Sequence, residues 1–332
     1  METTKTGELN ITIDGKLFCV PEQITVKEAL AQTSHQNAMV PEKPELSTAC
    51  HIGACFSCAV EIDGAVKLAC NTLVKEKMNI NTKLPEEYVP MRKVKFFSGP
   101  AGIPQVEAVC FTVGCNFVCP QCVNAFITYD THAEALTPQE AAQKMTIMKE
   151  MIRVNRTLIT GGECTLNRPW LIQYIRELRK LSSDHKARYL VDTNGSLLTH
   201  TYIDELAAVG VTDISIDLKG VEVSTFKKIT GVEDEQLATN YKEVAWEAVR
   251  YLTHTFAGKI SLSVSIPFNK DFISSDELNL MGKRLFKIDP SLHIGVISYS
   301  GAFKKKDMIP PRYEEMKKAH SILEGVGLRN VF

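Results

Sequence analysis

Gly114-Cys115-Asn116-Phe117-Val118-Cys119-Pro120-Gln121-Cys122 decides how the rest of the chain is read, because it sets three cysteines at spacings of x3 and x2. Thiolates select iron-sulfur clusters or zinc, and a cuboidal four-iron cluster normally takes four of them. A set of three leaves one iron without a protein ligand and open to a small molecule. The spacing alone also suits zinc, since cysteines two residues apart recur in zinc sites. Other segments must decide.

Two of them do. Leu158-Ile159-Thr160-Gly161-Gly162-Glu163 is a short apolar run that ends in paired glycines, which let backbone approach a ligand closely, and then a carboxylate. Tyr189-Leu190-Val191-Asp192-Thr193-Asn194-Gly195 is a second apolar run ending in polar residues and glycine, as a strand does on entering a ligand-facing loop. With the cysteine loop, these segments in this order resemble the radical S-adenosylmethionine (SAM) superfamily. The resemblance implies that Cys115, Cys119 and Cys122 carry a 4Fe-4S cluster and form the catalytic centre. It further implies that the amine and carboxylate of SAM chelate the vacant iron, and that one electron splits the sulfonium to release a 5'-deoxyadenosyl radical. Gly161, Gly162 and Glu163 would be the family's GGE motif, meeting the methionyl ammonium.

The chain has 332 residues, room for two domains, with an ordinary hydrophobic fraction of 44%. No run approaches the roughly 20 apolar residues of a membrane span, and the start lacks a charged-then-apolar signal pattern. A cytoplasmic protein without a membrane partner is expected. Thirty-eight basic against 39 acidic residues, a net charge of -1, argue against nucleic acid as a partner. Lys304, Lys305 and Lys306 read as a solvated loop. Of ten cysteines, seven fall in two compact groups, which points to metal rather than a disulfide scaffold.

The second group lies at the front. Cys50-His51-Ile52-Gly53-Ala54-Cys55-Phe56-Ser57-Cys58 has the C-x4-C-x2-C spacing of plant-type two-iron ferredoxins, and Cys70 follows at a distance suited to a fourth ligand. Residues 8 to 20 read as two strands around Asp14-Gly15, Thr25 to Gln32 as a short helix, and Ala59 to Gly64 as a strand and turn. Over about residues 7 to 82 this resembles the β-grasp two-iron domain appended to succinate dehydrogenase-like, sarcosine oxidase-like and complex I-like redox proteins. A 2Fe-2S cluster on Cys50, Cys55, Cys58 and Cys70 is therefore expected, with zinc on the same four as the alternative. Plant-type clusters sit near about -400 mV, reducing enough to pass electrons to the catalytic cluster. That relay role, fed by a donor protein of the ferredoxin or flavodoxin class, is expected; a purely structural or docking role is the alternative.

Between Lys83 and Pro104 stand Pro85, Pro90, Gly99, Pro100, Gly102 and Pro104, a composition that suits a linker. The expected organisation is a ferredoxin-like domain over 1–82, a linker over 83–105 and a second domain over 106–332. There the pattern alternates strands Val106 to Val113, Arg156 to Thr160, Ala187 to Asp192, Asp213 to Leu218, Lys259 to Ile266 and His293 to Tyr299 with helices Pro138 to Met151, Trp170 to Leu181, Thr201 to Val209, Val223 to Leu252 and Ser275 to Phe286. Such alternation implies parallel βα units with ligands at the C-terminal strand ends. The fold class is thus α/β: a partial (β/α)6 TIM-like barrel, preceded by a small α+β β-grasp domain.

Gly114 to Asn124, Asp192-Thr193-Asn194-Gly195 and Ile216-Asp217-Leu218-Lys219-Gly220 look like the pyruvate formate-lyase activating-enzyme group, over about residues 106 to 330. By that resemblance Asp192, Thr193 and Asp217 would bind a monovalent cation, Asn194 would belong to the same SAM-side loop, and Lys219 would reach the SAM carboxylate or the substrate. Two substrate-side positions depart from the group: Ser261-Leu262-Ser263-Val264-Ser265 carries no Arg, and Ser298-Tyr299-Ser300 carries no His. A protein-modifying, activating-enzyme-like oxidoreductase is the first expectation. A radical enzyme acting on a small molecule in cofactor or natural-product biosynthesis is the second, and a non-catalytic electron-transfer module the third. Cys19, Cys110 and Cys164 are expected in core packing, with a cavity-facing Cys164 as an alternative. Exposed clusters and radical chemistry suggest an anaerobic or microaerobic cell.

Overall fold

The computed structural model describes residues 7–33, 49–100 and 106–332. Its first unit is built from two hairpins. β1 (Glu8–Ile13) and β2 (Lys16–Pro21) are antiparallel around Asp14-Gly15, whose φ values of 47° and 79° meet the demand of a type I′ turn for two positive angles. The Thr25 hydroxyl accepts from Glu28 N, and Glu28 bonds back to the Thr25 backbone; this capping box starts α1 (Val26–Gln32). β3 (Ala59–Ile62) and β4 (Ala65–Leu68) turn at Asp63-Gly64, again both left-handed. β5 (Asn79–Asn81) lies parallel to β1 between the hairpins, giving the order β2-β1-β5-β3-β4, a β-grasp sheet. Ile11, Ile13, Val26, Val60, Ile62 and Ile80 form its dry centre.

The second unit begins earlier than its expected start at residue 106. β6 (Arg92–Pro100) pairs antiparallel with β7 (Val106–Thr112) from Val94↔Thr112 to Pro100↔Val106. Nine of the 23 residues read as a linker, Arg92 to Pro100, are therefore a strand: Gly99 and Pro100 stand at its end rather than prevent it, and Val94 and Phe96 face the core in alternation. The linker's last residues, 101–105, lie outside the described residues. After the cysteine loop come α2 (Ala125–Thr128), β8 (Glu134–Leu136), α3 (Pro138–Met151), β9 (Arg156–Gly161), α4 (Arg168–Leu181), β10 (Arg188–Thr193), α5 (His200–Ala208) and β11 (Asp213–Asp217). α6 (Val223–Thr230), α7 (Glu235–Thr255), β12 (Ser261–Phe268), α8 (Ser275–Ile288), β13 (His293–Ser298), α9 (Tyr313–Gly325) and β14 (Asn330–Val331) complete the chain. The six expected strands, β7 and β9 to β13, run parallel in chain order. β14 extends one side of the sheet, and β6 and β8 extend the other antiparallel. β8 and β14 are its two edges, so this is an open, partial barrel.

Helices cover the outside. Trp170 is buried and stacks on Tyr174 at 4.9 Å, with its indole N–H given to Leu136 O, so a large apolar ring is placed without an orphaned donor. No helix among the described residues is long and apolar enough to cross a membrane. The two units share an apolar cluster: Cys50, Ala54 and Cys55 pack with Val113, Phe117 and Leu166. Lys93 N donates to Ala54 O at 3.0 Å, and Asn167 Nδ2 donates to Cys55 O at 2.9 Å.

Candidate active site

The C-terminal ends of the six parallel strands converge on one cleft of about 970 Å³, its open mouth included. β7 leads to Cys115, Cys119 and Cys122; β9 gives Thr160 and Gly161, followed by Gly162; β10 gives Asp192 and Thr193, followed by Asn194. β11 gives Asp217 with Lys219 just beyond, β12 gives Pro267, and β13 gives Ile297 and Ser298, with Tyr299 next. Parallel strands place ligands at this end because the loops that leave it are free to vary.

The cysteine loop is held from several sides. Phe117 is buried edge-on to Phe226 and Tyr241, both at 5.5 Å between ring centres. Val118 N donates to Thr230 O, and Gln121 Nε2 donates to Ile229 O and to the Tyr299 hydroxyl. Gly231 closes α6 in the left-handed region (φ 71°), and a Cβ there would stand 2.7 Å from Val118 O. Across the mouth, Lys304 N and Lys305 N donate to Pro120 O, while Phe303 stacks on Tyr129 at 5.0 Å. Phe117 N donates to Cys115 Sγ at 3.3 Å. Burial raises the thiols of Cys115 and Cys119, the latter to about 12. Such thiols ionise only against a cation, which a cluster iron supplies.

The paired glycines serve the chain itself first. A Cβ on Gly161 would stand 2.5 Å from Thr112 N and O, and one on Gly162 would stand 2.1 Å from Gly114 O. Both therefore let the end of β9 press against the end of β7, which Gly162 N and Glu163 N bind through Thr112 O and Gly114 O, each at 2.8 Å. Glu163 departs from the sequence expectation: its side chain is fully buried and does not line the cleft. Its Oε1 accepts from Thr165 N, Thr165 Oγ1 and Thr193 Oγ1, and its Oε2 accepts from Asn194 N. The carboxylate thus latches the β9 loop to the β10 loop. Behind it, the buried Arg92 guanidinium donates to the carbonyls of Glu163 and Cys164.

The polar wall is Asp192, Asp217 and Lys219. Thr160 Oγ1 donates to Asp192 Oδ2 at 2.7 Å; burial, and then the Asp217 charge, push the Asp192 carboxyl up to about 7. Lys219 is buried and reaches Asp217 at 3.0 Å. Burial alone would lower its ammonium, but the Asp217 charge outweighs it and the net shift is upward. Asn194 Nδ2 donates to Asn116 Oδ1, and Asn116 Nδ2 donates to Ser196 Oγ, tying the β10 loop to the cysteine loop. Two carboxylates in one part of the cleft fit a monovalent cation between them, and the buried ammonium fits a carboxylate ligand.

In the front unit Cys50 and Cys55 are hydrogen-bonded to each other, as are Cys58 and Cys70. Among the described residues no three Cys, His, Asp or Glu side chains converge as ligands of one metal ion. Four buried or half-buried thiols on one loop system supply the four ligands that the two irons of a 2Fe-2S cluster require. Gly53, at φ 66°, wraps the loop where a Cβ would stand 2.1 Å from Asn71 Nδ2. No disulfide joins any two of the ten cysteines. Cys164 is buried, donating to Asp192 O at 3.3 Å, and Cys110 is buried too, so both are core residues. Cys19 is not: it is exposed on the outer face of β2, where Val20 takes the inward position, and donates to Glu8. Arg92, Gln121, Asn124, Tyr129 and Pro267 went unnoticed as site residues; only the lone arginine in the apolar alternation of β6 carried a signal.

The Radical SAM superfamily model matches residues 109–257, and a model described as a 2Fe-2S iron-sulfur cluster binding domain matches residues 6–85. Among curated proteins, the AdoMet-dependent heme synthase of Methanosarcina barkeri is 30% identical over 39% of this chain and 35% of its own length. The probable GTP 3',8-cyclase of Saccharolobus solfataricus is 32% identical over 38% of each. Either match spans little more than a third of the relative. Among solved structures, SuiB of Streptococcus suis bound to S-adenosylmethionine is similar with a TM-score of 0.49 at 12% identity, over 66% of this chain and 47% of that one. The coproporphyrinogen III oxidase of Escherichia coli is similar with a TM-score of 0.45 at 15% identity, over 64% and 51%. The two family matches fall on the two units whose cysteines are grouped four and three, and the chain therefore carries a radical SAM domain, with its 4Fe-4S cluster and SAM, behind a 2Fe-2S ferredoxin-like domain.

Proposed function

We propose that this radical SAM enzyme acts on a small molecule seated against Pro267, Ile297, Ser298 and Tyr299, with the 2Fe-2S unit as its electron relay. The observation that carries the reading is a single cleft lined by three cysteines, the glycine pair, Asp192, Asp217 and Lys219 at one part and by an uncharged wall at another. Cys115, Cys119 and Cys122 would hold the 4Fe-4S cluster, and Cys50, Cys55, Cys58 and Cys70 the 2Fe-2S cluster. When bound, the cluster and SAM together supply a 5'-deoxyadenosyl radical for hydrogen abstraction.

The chain's own part is orientation and exclusion of water. Lys219, kept charged by Asp217, would pair with the methionyl carboxylate, and the backbone at Gly161-Gly162 would face the methionyl ammonium. Asp192, Thr193 and Asp217 would hold a monovalent cation, while Asn194 braces the cysteine loop through Asn116. Tyr299 is fixed by Gln121, and burial pushes its hydroxyl up, so it keeps its proton beside the substrate. The small-molecule reading is supported by the names of the two curated relatives and by a substrate wall that offers no Arg or His. A protein substrate of the activating-enzyme kind is the second reading, favoured by the Asp-Thr-Asn-Gly and Asp-Leu-Lys-Gly phrases and by Val123 and Phe126, exposed at 54% and 72%.

The test uses anaerobically reconstituted protein with SAM and dithionite. 5'-deoxyadenosine is expected from the wild type and absent from Cys119→Ala, whose two-iron absorption stays intact. Deuterated tetrapyrroles and purine nucleotides are then offered beside deuterium-labelled protein extract. Label carried into 5'-deoxyadenosine from a small molecule supports the first reading, and label arriving only from protein overturns it in favour of the second. No 5'-deoxyadenosine under any condition removes both.

A further inference from the structure

The two cysteine loops touch at Gly114. A Cβ on this residue would stand 2.6 Å from Cys50 Cβ, 3.0 Å from Cys50 Sγ and 3.6 Å from Ala54 Cβ, and its φ of +87° already lies where side chains are strained. Gly114 is bonded directly to Cys115, a residue of the three-cysteine loop. Around this point the fit is fastened rather than incidental. Lys93 N donates to Ala54 O, and Asn167 Nδ2 bridges Cys55 O at 2.9 Å and Met91 O at 3.1 Å. Cys50, Ala54 and Cys55 share a buried apolar cluster with Val113 and Phe117, so no water layer separates the loops. Burial adds a direction: Cys50 and Cys55 pack against the barrel, whereas Cys70 is the only one of the four that is not buried.

We infer that Gly114 is the electron bridge of this chain: an electron taken up by a cluster on Cys50, Cys55, Cys58 and Cys70 would leave from the Cys50 side and cross at Gly114 to the Cys115 loop. The inference rests on the relay reading above and deepens it. The balance is one electron. An external single-electron donor of the ferredoxin or flavodoxin class, or dithionite in its place, reduces the two-iron centre to its mixed ferrous–ferric state. The two-iron centre would return to the diferric state as the four-iron centre goes from 2+ to 1+. No proton or group moves. Gly114 acts as a positioning residue, since it sets how closely Cys50 approaches and is not itself oxidised.

Two variants of the full, reconstituted chain test it. Gly114→Ala introduces the Cβ that collides with Cys50. Asn167→Asp keeps an acceptor for the α4 cap, which Trp170 N now finds on Asn167 Oδ1, but replaces the amide donor that holds Cys55 O and Met91 O. Electron paramagnetic resonance of fully reduced wild type is expected to show magnetic coupling between the two centres, with freeze-quench samples showing the two-iron signal decaying as the four-iron signal grows. Both variants are expected to weaken the coupling and slow that transfer, with the midpoint potential of each centre unchanged in Gly114→Ala, which adds no charge. Wild-type coupling and transfer in both variants would overturn the assigned path while leaving the relay standing. A wild type in which the reduced two-iron centre never reduces the four-iron centre would remove the relay and the path with it.

Discussion

Replacing Glu163 with glutamine separates a carboxylate that braces the site from one that meets the ligand. In the structure Oε1 takes three N–H and O–H donors, from Thr165 N, Thr165 Oγ1 and Thr193 Oγ1, with the Cys164 thiol at 3.9 Å, and Oε2 takes Asn194 N. A glutamine of the same shape keeps the first three and turns an amide NH2 toward the Asn194 N–H. One buried donor left unmade costs about 1–3 kcal/mol, and three bonds that lose their charge assistance cost about 1 kcal/mol each. Relief from no longer burying a charge offsets part of this, so a net loss of about 3 kcal/mol is expected. For a unit of this size that corresponds to about 6–12 °C in thermal midpoint, at about 2–4 °C per kcal/mol. The assay is thermal unfolding of the anaerobically loaded protein, alongside SAM affinity by equilibrium dialysis. The expected result is a lowered midpoint that saturating SAM partly restores, because ligand binding stabilises the folded state. An unchanged midpoint together with lost SAM binding would refute the reasoning and place the carboxylate on the ligand.

Gly162→Ala should fail to load the catalytic cluster, since its Cβ would stand 2.1 Å from Gly114 O; iron is expected to fall from about six to about two per chain, and a fully loaded variant would count against the close approach. Asp192→Asn should change how stability depends on pH. The Asp192 carboxyl lies at about 7 against an ordinary 3.8, so the folded chain holds its proton over a range where the unfolded chain has lost it. Wild type without SAM or added potassium should therefore lose stability relative to Asp192→Asn as pH rises from about 4 to about 7, with the difference flat above; parallel melting curves for the two proteins would contradict this.

The parallel strands and the residues at their ends were legible in the sequence because each apolar run stops at glycine or polar residues, the mark of a strand entering an exposed loop. Cys115, Asp192, Asp217 and Lys219 reach one cleft for that reason. Side-chain direction was not legible. Glu163 follows the glycine pair, yet the hydroxyls of Thr165 and Thr193, distant from each other in sequence, turn it inward. β6 was missed because Gly99 and Pro100 at its end outweighed the alternation of Val94 and Phe96. The join between the units was invisible for a similar reason: Ala54, Gly114 and Asn167 carry no signature, and only the fold brings them together. A front unit treated as separable at residue 82 in fact lends Cys50, Ala54 and Cys55 to a shared core, so its removal would uncover apolar surface on the barrel.

The three-cysteine loop owes its shape to partners far downstream, Thr230 and Ile229 on one side and Lys304 and Lys305 on the other. On a growing chain the four front sulfurs leave the ribosome long before those partners exist, so the smaller metal centre can mature during synthesis. The cubane's loop gains its last partners only once Lys304 and Lys305 have been made, which puts iron delivery to the two centres in a temporal order.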